Sequence, residues 1–341
     1  MKQKVSFLLA CILIFASVIV VYAKESANIK NLSNNEHIII RVSHVLPENH
    51  ASHKSLVLFK ELVDKRSNGR IEVQIYPNSQ LGGDRQAIES VSLGSLQMTM
   101  PGGPVLSGFE EKFMVLDLPF LFKSKEIAYN ALDGEFGQEL NKLLYKHNIM
   151  NLGFAENGFR HITNNVRPIH KPEDLEGIKI RTMENPVHIA AFKAFGTNPT
   201  PMNFGELFTA LQQKTVDAED NPISIIYTSR FYEVQKYLTL SGHVFGNAVY
   251  LINKSFYDSL SPEDQKIVSE SIDEAKAYQR ELASEQETEF LKELEKQGMV
   301  INELTPEEKD LFIKAAAPVY KQFEEKLGKD LIEKAMSYNN K

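Results

Sequence analysis

Two arginines stand where strand-like runs end. Arg181 closes the alternation Ile178-Lys179-Ile180-Arg181, with Asn185-Pro186 just beyond it, and Arg160 lies in Gly158-Phe159-Arg160-His161-Ile162 after a second apolar run. A guanidinium presents a planar fork of donors that matches a carboxylate or phosphate at two points. Asparagine is a good helix N-cap and proline a good first helical residue, so the chain after Arg181 reads strand, loop, helix. In an open α/β sheet ligands bind beyond the carboxyl ends of strands, where helix amino ends offer unpaired amide donors to anions. Arg181 thus has the position of an anion grip, the alternative being a surface arginine paired with Glu184. Asn221, in Glu219-Asp220-Asn221-Pro222, has two readings as well: an amide donor to the same anion, or an ordinary cap of the next helix. Phe204 stacks on a ligand or serves as a core or staple residue at a helix start.

Other chemistries find less support. His44, His50 and His53 have no acidic residue at matching spacing, and a helix begins there, so no metal site is expected. Gly82-Gly83-Asp84 and Pro101-Gly102-Gly103-Pro104 follow strands of the first half. They read as turns, with Asp84 capping the next helix, and as loops poor enough in side chains for backbone amides to approach a ligand. No nucleophile elbow, zinc-protease pair, P-loop or dinucleotide-binding glycine motif occurs after Ala23. Neither an enzyme nor a cofactor is expected.

The elements that must hold these residues come from an ordinary globular composition. At 341 residues, 43% hydrophobic and 24% charged, the chain has material for two domains with cores of their own. Its beginning differs: Met1–Lys4 is basic and Val5–Ala23 is apolar without charge, ending Val21-Tyr22-Ala23. That is the layout of a cleaved secretory signal over residues 1–23, the alternative being an uncleaved anchor. Cys11 is the only cysteine, so cleavage leaves no disulfide and no thiolate ligand. Loss of Lys2 and Lys4 moves the net charge from −7 to −9. An acidic chain without a basic cluster is a poor partner for nucleic acid or an anionic membrane surface.

Residues 24–36 are polar and aperiodic, a flexible lead. From Ile38 strand-like and helix-like runs alternate with short links, the grammar of parallel sheets with crossover helices. The second half repeats it, including a helix from Pro186 to Phe195 with Gly196 as its stop and a helix from Phe204 leading to the strand before Asn221. Two α/β domains follow, 37–150 and 151–250, joined near residue 150. Residues 251–341 are long helices that brace both domains and partly return to the first.

Three stretches in order, Tyr76–Thr99, Gly177–Pro222 and Phe231–Leu238, together resemble the solute-binding component of tripartite ATP-independent periplasmic (TRAP) transporters, and the likeness runs from about Ile38 into the terminal helices. The resemblance implies a periplasmic binding protein-like clamshell of two α/β domains over a small organic acid, with a long helix lying across both. It implies that Arg181 forms a two-point salt bridge with the ligand carboxylate, that Asn221 and Arg160 hold the same carboxylate, and that Phe204 packs on the ligand. His44, Glu184, Asn185 and Asn247 become candidates for ligand hydroxyls. The implied partners are the solute and the membrane subunits of a TRAP permease driven by an ion gradient, and the implied location is the periplasm. Two departures bear on the ligand. Ala218 and Asp220 stand in the element Val216–Pro222, and Pro101-Gly102-Gly103 occupies the loop where sialic-acid-binding relatives carry a glutamate. The second departure speaks against sialic acid, and the stretch Arg181–Met202 resembles members that take sugar acids such as hexuronates, so a sugar acid is expected. The alternatives are a C4-dicarboxylate or other small organic acid, a secreted α/β hydrolase, or the binding protein of an ATP-driven importer.

Overall fold

The computed structural model describes residues 37–340. The expected signal, the polar lead and Cys11 lie outside them. Eleven strands among the described residues fall into two sheets. The first holds β1 (Ile38–Ser43), β2 (Ile71–Tyr76), β3 (Met98–Thr99), β4 (Ile149–Phe159) and β10 (Phe245–Asn253), in the order β2-β1-β3-β10-β4. The second holds β5 (His161–Asn164), β6 (Lys179–Thr182), β7 (Asn198–Pro201), β8 (Ala218–Asn221), β9 (Tyr237–Leu240) and β11 (Val300–Glu303), in the order β11-β9-β5-β8-β6-β7.

Parallel pairs β1–β2, β1–β3, β6–β7 and β6–β8 arise from strand–helix–strand units. The returning strand β10 and the crossing strand β5 run antiparallel to their neighbours. In β1 and β2 the inward positions Ile40, Val42, Ile71 and Val73 are buried against the helix Ala51–Ser67 and the long helix Pro262–Lys296. Asn68 ends the first of these helices in the left-handed conformation, its N–H turned back to the carbonyls of Asp64 and Lys65.

The chain passes from the first sheet to the second at Arg160, between β4 and β5, and returns through residues 241–244, between β9 and β10. The two crossings are tied together by a bond from Arg160 N to Val244 O at 2.8 Å. The divisions expected at residues 150 and 250 fall inside β4 and β10, and the unit boundaries we propose are these crossings. Apolar runs show where strands lie but not which sheet a strand joins.

The helix Pro262–Lys296 starts on Ser261, whose side chain accepts from Asp264 N, and stops ahead of Gly298 at φ +90°. Its first half packs Ile267, Val268, Ile272 and Ala275 against the first sheet, and Phe290 and Leu294 pack with the second unit. Two buried glutamines fix it in the middle. Gln279 exchanges bonds with both backbone groups of Glu156, at 2.9 and 2.6 Å. Gln286 accepts from Ala51 N and donates to Asn49 O, each at 3.1 Å. Because a buried amide left unpaired is costly, each glutamine sets the rotation of the helix as well as its position. The helix Pro306–Leu327 spans in the same way, with Phe312 and Ala316 in one cluster and Val319, Phe323 and Leu327 in another.

Candidate functional site

A cleft lies between the sheets, its walls formed by both units. It encloses about 410 Å³ of empty space, the open solvent at its mouth included. Arg160, Arg181, Asn221, Phe204, Asp84 and Asn157 supply its polar and aromatic lining. Four of these six were singled out in the sequence.

Arg181 is the penultimate residue of β6, which runs one residue further than the alternation suggested. Its side chain is buried, at 2% exposure. Nε and Nη2 donate to the Met202 carbonyl at 3.0 and 2.8 Å, while Nη1 is buried without a partner among the described residues. Among the described residues no carboxylate oxygen lies within 4 Å of it, so the pairing with Glu184 does not form. Burial, followed by repulsion from Arg160, lowers its pKa to about 10. A buried guanidinium with a free edge and no counter-ion is an expensive arrangement unless an anion arrives to complete it.

Arg160 is placed differently, at the crossing itself. Its Nε lies 2.5 Å from Asp220 Oδ2, and its Nη2 donates to the Asp220 carbonyl. His243 Nε2 approaches the same carboxylate oxygen at 3.3 Å. Burial pushes the Asp220 carboxyl up, but the Arg160 guanidinium and the His243 hydrogen bond outweigh it and hold the carboxyl well below the usual range. Of the two arginines in the cleft, one is already neutralised.

Asn221 ends β8 opposite His161. The following helix, Ile223–Thr228, takes Pro222 as its N-cap, so Asn221 does not cap it. Its Nδ2 donates to Glu219 Oε2 at 2.5 Å, and Glu219 also accepts from Thr163 Oγ1 at 2.7 Å. Burial raises the Glu219 pKa to about 7. Phe204 begins the helix Phe204–Gln212; it lines the cleft, and its ring centroid is 6.0 Å from that of Phe231 in the second unit's core.

Sequence reasoning treated Asp84 only as a cap and passed over Asn157. The helix Asp84–Leu93 has Gly83 at its N-cap position, and the buried Asp84 carboxylate accepts instead from Gly102 N at 3.2 Å. Its Oδ1 has no partner among the described residues. Burial raises its pKa to about 7, against the lowering pull of the Gly102 amide and of Arg181. Asn157 Oδ1 is likewise buried and unpartnered. A Gly-Gly-Asp turn before a helix and an asparagine just before a sheet crossing were the available signals.

The remaining candidates lie elsewhere. Glu184 borders a small recess beside the cleft that it shares with Asp84, Arg181 and Phe204. Asn185 is engaged at both ends. Its Oδ1 accepts from Val187 N and His188 N, and its Nδ2 donates to Pro104 O at 2.9 Å and Asp117 Oδ2 at 2.7 Å. His44 has both ring nitrogens occupied, by His53 at 3.0 Å and by Leu46 N at 3.3 Å, and burial lowers its pKa to about 3. Asn247, on β10, does not line the cleft and faces Gly103. His50 turns away from the other two histidines, toward Ser224 Oγ at 3.2 Å. Among the described residues no group of three or more His, Cys, Asp or Glu is placed to hold a metal ion.

Comparison with known proteins adds three kinds of likeness. The family model described as bacterial extracellular solute-binding protein, family 7 (DctP) matches residues 42–326. A solute-binding protein of Verminephrobacter eiseniae is 41% identical over 288 residues, which is 84% of this chain and 85% of that protein. Two solved structures superpose over nearly their full length. One is the sugar acid binding protein of Advenella mimigardefordensis in complex with galactonate, with TM-score 0.88, 37% identity, and 89% of this chain and 98% of that one covered. The other is a TRAP periplasmic solute binding protein of Sulfurospirillum deleyianum with bound succinate, with TM-score 0.86, 35% identity, and 89% and 99% covered.

Proposed function

Because the chain belongs to family 7 of the bacterial extracellular solute-binding proteins, the DctP-type binding components of TRAP transporters, we propose that it captures a solute bearing one carboxylate, a sugar acid in the first place, and delivers it to the membrane subunits of a TRAP permease. The family is one of transport proteins, not enzymes, and its members are periplasmic. Export through cleavage after Ala23 belongs to the proposal.

One observation carries the reading: Arg181 is buried in the cleft, without a counter-ion and with Nη1 unpartnered. A ligand carboxylate meeting that free edge restores the missing charge and the missing hydrogen bond together. Asn221, Phe204 and the second arginine then complete a polar and aromatic surround, and the unpartnered acceptors of Asp84 and Asn157 suit hydroxyl donors. Aldonates and hexuronates offer one carboxylate and several hydroxyls. The presence of Arg160 favours a second reading, a C4-dicarboxylate, but its pairing with Asp220 argues for a single carboxylate.

The test is a thermal-shift screen of residues 24–341 against aldonates, hexuronates, C4-dicarboxylates and neutral sugars. A ligand at about 100 times its Kd adds about 2.7 kcal/mol of stability. Stabilisation by sugar acids above dicarboxylates supports the proposal. Stabilisation by neutral sugars alone refutes the carboxylate clamp, and dicarboxylates ahead of sugar acids select the second reading.

A further inference from the structure

Gly82 and Gly83 lead into the helix Asp84–Leu93, and they are glycines for different reasons. Gly82 has φ +96°, which side-chain-bearing residues rarely adopt. Gly83 has φ −78° and ψ 173°, extended backbone open to any residue. Yet a Cβ at Gly83 would stand 1.9 Å from Asn203 Nδ2, 2.7 Å from its Cγ and 2.8 Å from its Oδ1. Swinging Asn203 aside costs a helix cap, because its Oδ1 accepts from Gly205 N at 3.0 Å at the start of the helix Phe204–Gln212. The next residue after each partner, Asp84 and Phe204, lines the cleft beside Arg181. Two helix amino ends, one from each unit, thus meet edge to edge over the site.

We infer that Gly83 and Asn203 are positioning residues for ligand capture: their contact is the seam at which the clamshell shuts. This rests on the carboxylate-binding reading above. A side chain at position 83 holds the two edges apart, so that Asp84 and Phe204 stop short of their closed spacing. The same substitution suits the local backbone and reduces the freedom of the unfolded chain, so it leaves the open, ligand-free protein as stable as before or more so.

The experiment compares residues 24–341 as wild type, Gly83→Ala, Asn203→Gly and the double variant, by calorimetry and stopped-flow with D-galactonate, D-glucuronate and succinate as probes. Gly83→Ala is expected to bind about ten-fold or more weakly, mainly through faster dissociation, with its ligand-free Tm unchanged or raised. Adding Asn203→Gly restores affinity, since glycine is nearly as good an N-cap. Wild-type affinity in Gly83→Ala overturns the seam, as does a loss that Asn203→Gly does not restore. A ligand-independent arm uses Gly83→Cys with Asn203→Cys, in residues 24–341 that otherwise contain no cysteine. Oxidation should cross-link this pair, and thiols that stay free under oxidation overturn the seam. If none of the three acids binds the wild type, the carboxylate reading falls and the cross-link alone decides the seam.

Discussion

Replacing Arg181 by alanine should separate affinity from stability in an unusual way. In this structure the guanidinium is 2% exposed, and among the described residues the Met202 carbonyl is its hydrogen-bond partner. Removing it therefore relieves an uncompensated buried charge at the cost of some packing, and ligand-free stability should change little. In the complex the same change strands a carboxylate in a desolvated cleft. Truncating one partner of a buried, hydrogen-bonded charge pair costs about 2 to 5 kcal/mol, which is roughly 30-fold to several thousand-fold in Kd. Arg181→Lys keeps the charge, but a lysine cannot hold the Met202 carbonyl and a carboxylate in one plane, so it should be impaired as well. Isothermal titration with whichever acid stabilises the wild type, alongside urea unfolding of each ligand-free variant, gives both numbers. An Arg181→Ala protein that binds this acid as tightly as the wild type would refute the clamp. A Kd unchanged in Arg181→Lys would show that a point charge suffices and that the two-point bridge is absent.

Three further outcomes follow from the same geometry. Burial raises the pKa of Asp84 from 3.8 to about 7 and of Glu219 from 4.5 to about 7, so across that window the native state holds more protons than the unfolded one. Their contribution to stability is full below about pH 4 and is lost as pH rises to about 7; Asp84→Asn should flatten this loss and unfold at higher urea than the wild type at pH 8, and superimposable profiles would rule the assignment out. His44, His50 and His161, lowered from 6.5 to about 3 by burial, act in the opposite sense, their contribution being present above pH 6.5 and lost as pH falls toward 3. Asp220→Ala strands the buried Arg160 and should cost about 3 to 5 kcal/mol in urea unfolding; a cost under about 1 kcal/mol would mean that the pair is not what holds Arg160. Asn185→Ala removes a helix cap and a donor to buried Asp117, so it should cost about 1 to 3 kcal/mol of stability, with ligand Kd unchanged by titration; a large rise in Kd would return Asn185 to the ligand.

What could be read in the sequence follows from how local each signal is. The N-cap role of Asn185 was legible because asparagine, proline and the first helical turn are consecutive. The length of the helix Pro262–Lys296 was legible because few breakers interrupt it. The partner of a buried side chain is set by residues far away in the chain. Arg160 and Asp220 are 60 residues apart and Asn185 and Asp117 are 68 apart. Neither spacing nor periodicity shows that one arginine of the cleft is paired and the other is not. Asp84 illustrates the limit from the other side: an aspartate at a helix start reads as a cap, and only the fold brings the Gly102 amide to its carboxylate and places it in the cleft that Arg181 lines.

The position of Arg160 gives its pairing a consequence that burial alone does not. It sits where the chain first crosses between sheets, and its N–H bonds Val244 in the returning crossing. His243, which shares Asp220 with it, belongs to that returning crossing as well. The Arg160–Asp220–His243 cluster therefore belongs to the joint between the units, and its charges are balanced within the fold itself. Breaking Arg160 away to grip a second carboxylate would leave Asp220 unpaired in a dry joint, a cost of several kcal/mol that a surface arginine would not incur. Arg181 faces the cleft from a single unit and carries no such obligation. The acidic surface implied by a net charge of −7 thus says little about the site: exposed carboxylates are screened by water and salt within about 10 Å, whereas in the proposed reading the solute carboxylate answers to Arg181, buried in the cleft with no carboxylate in contact among the described residues.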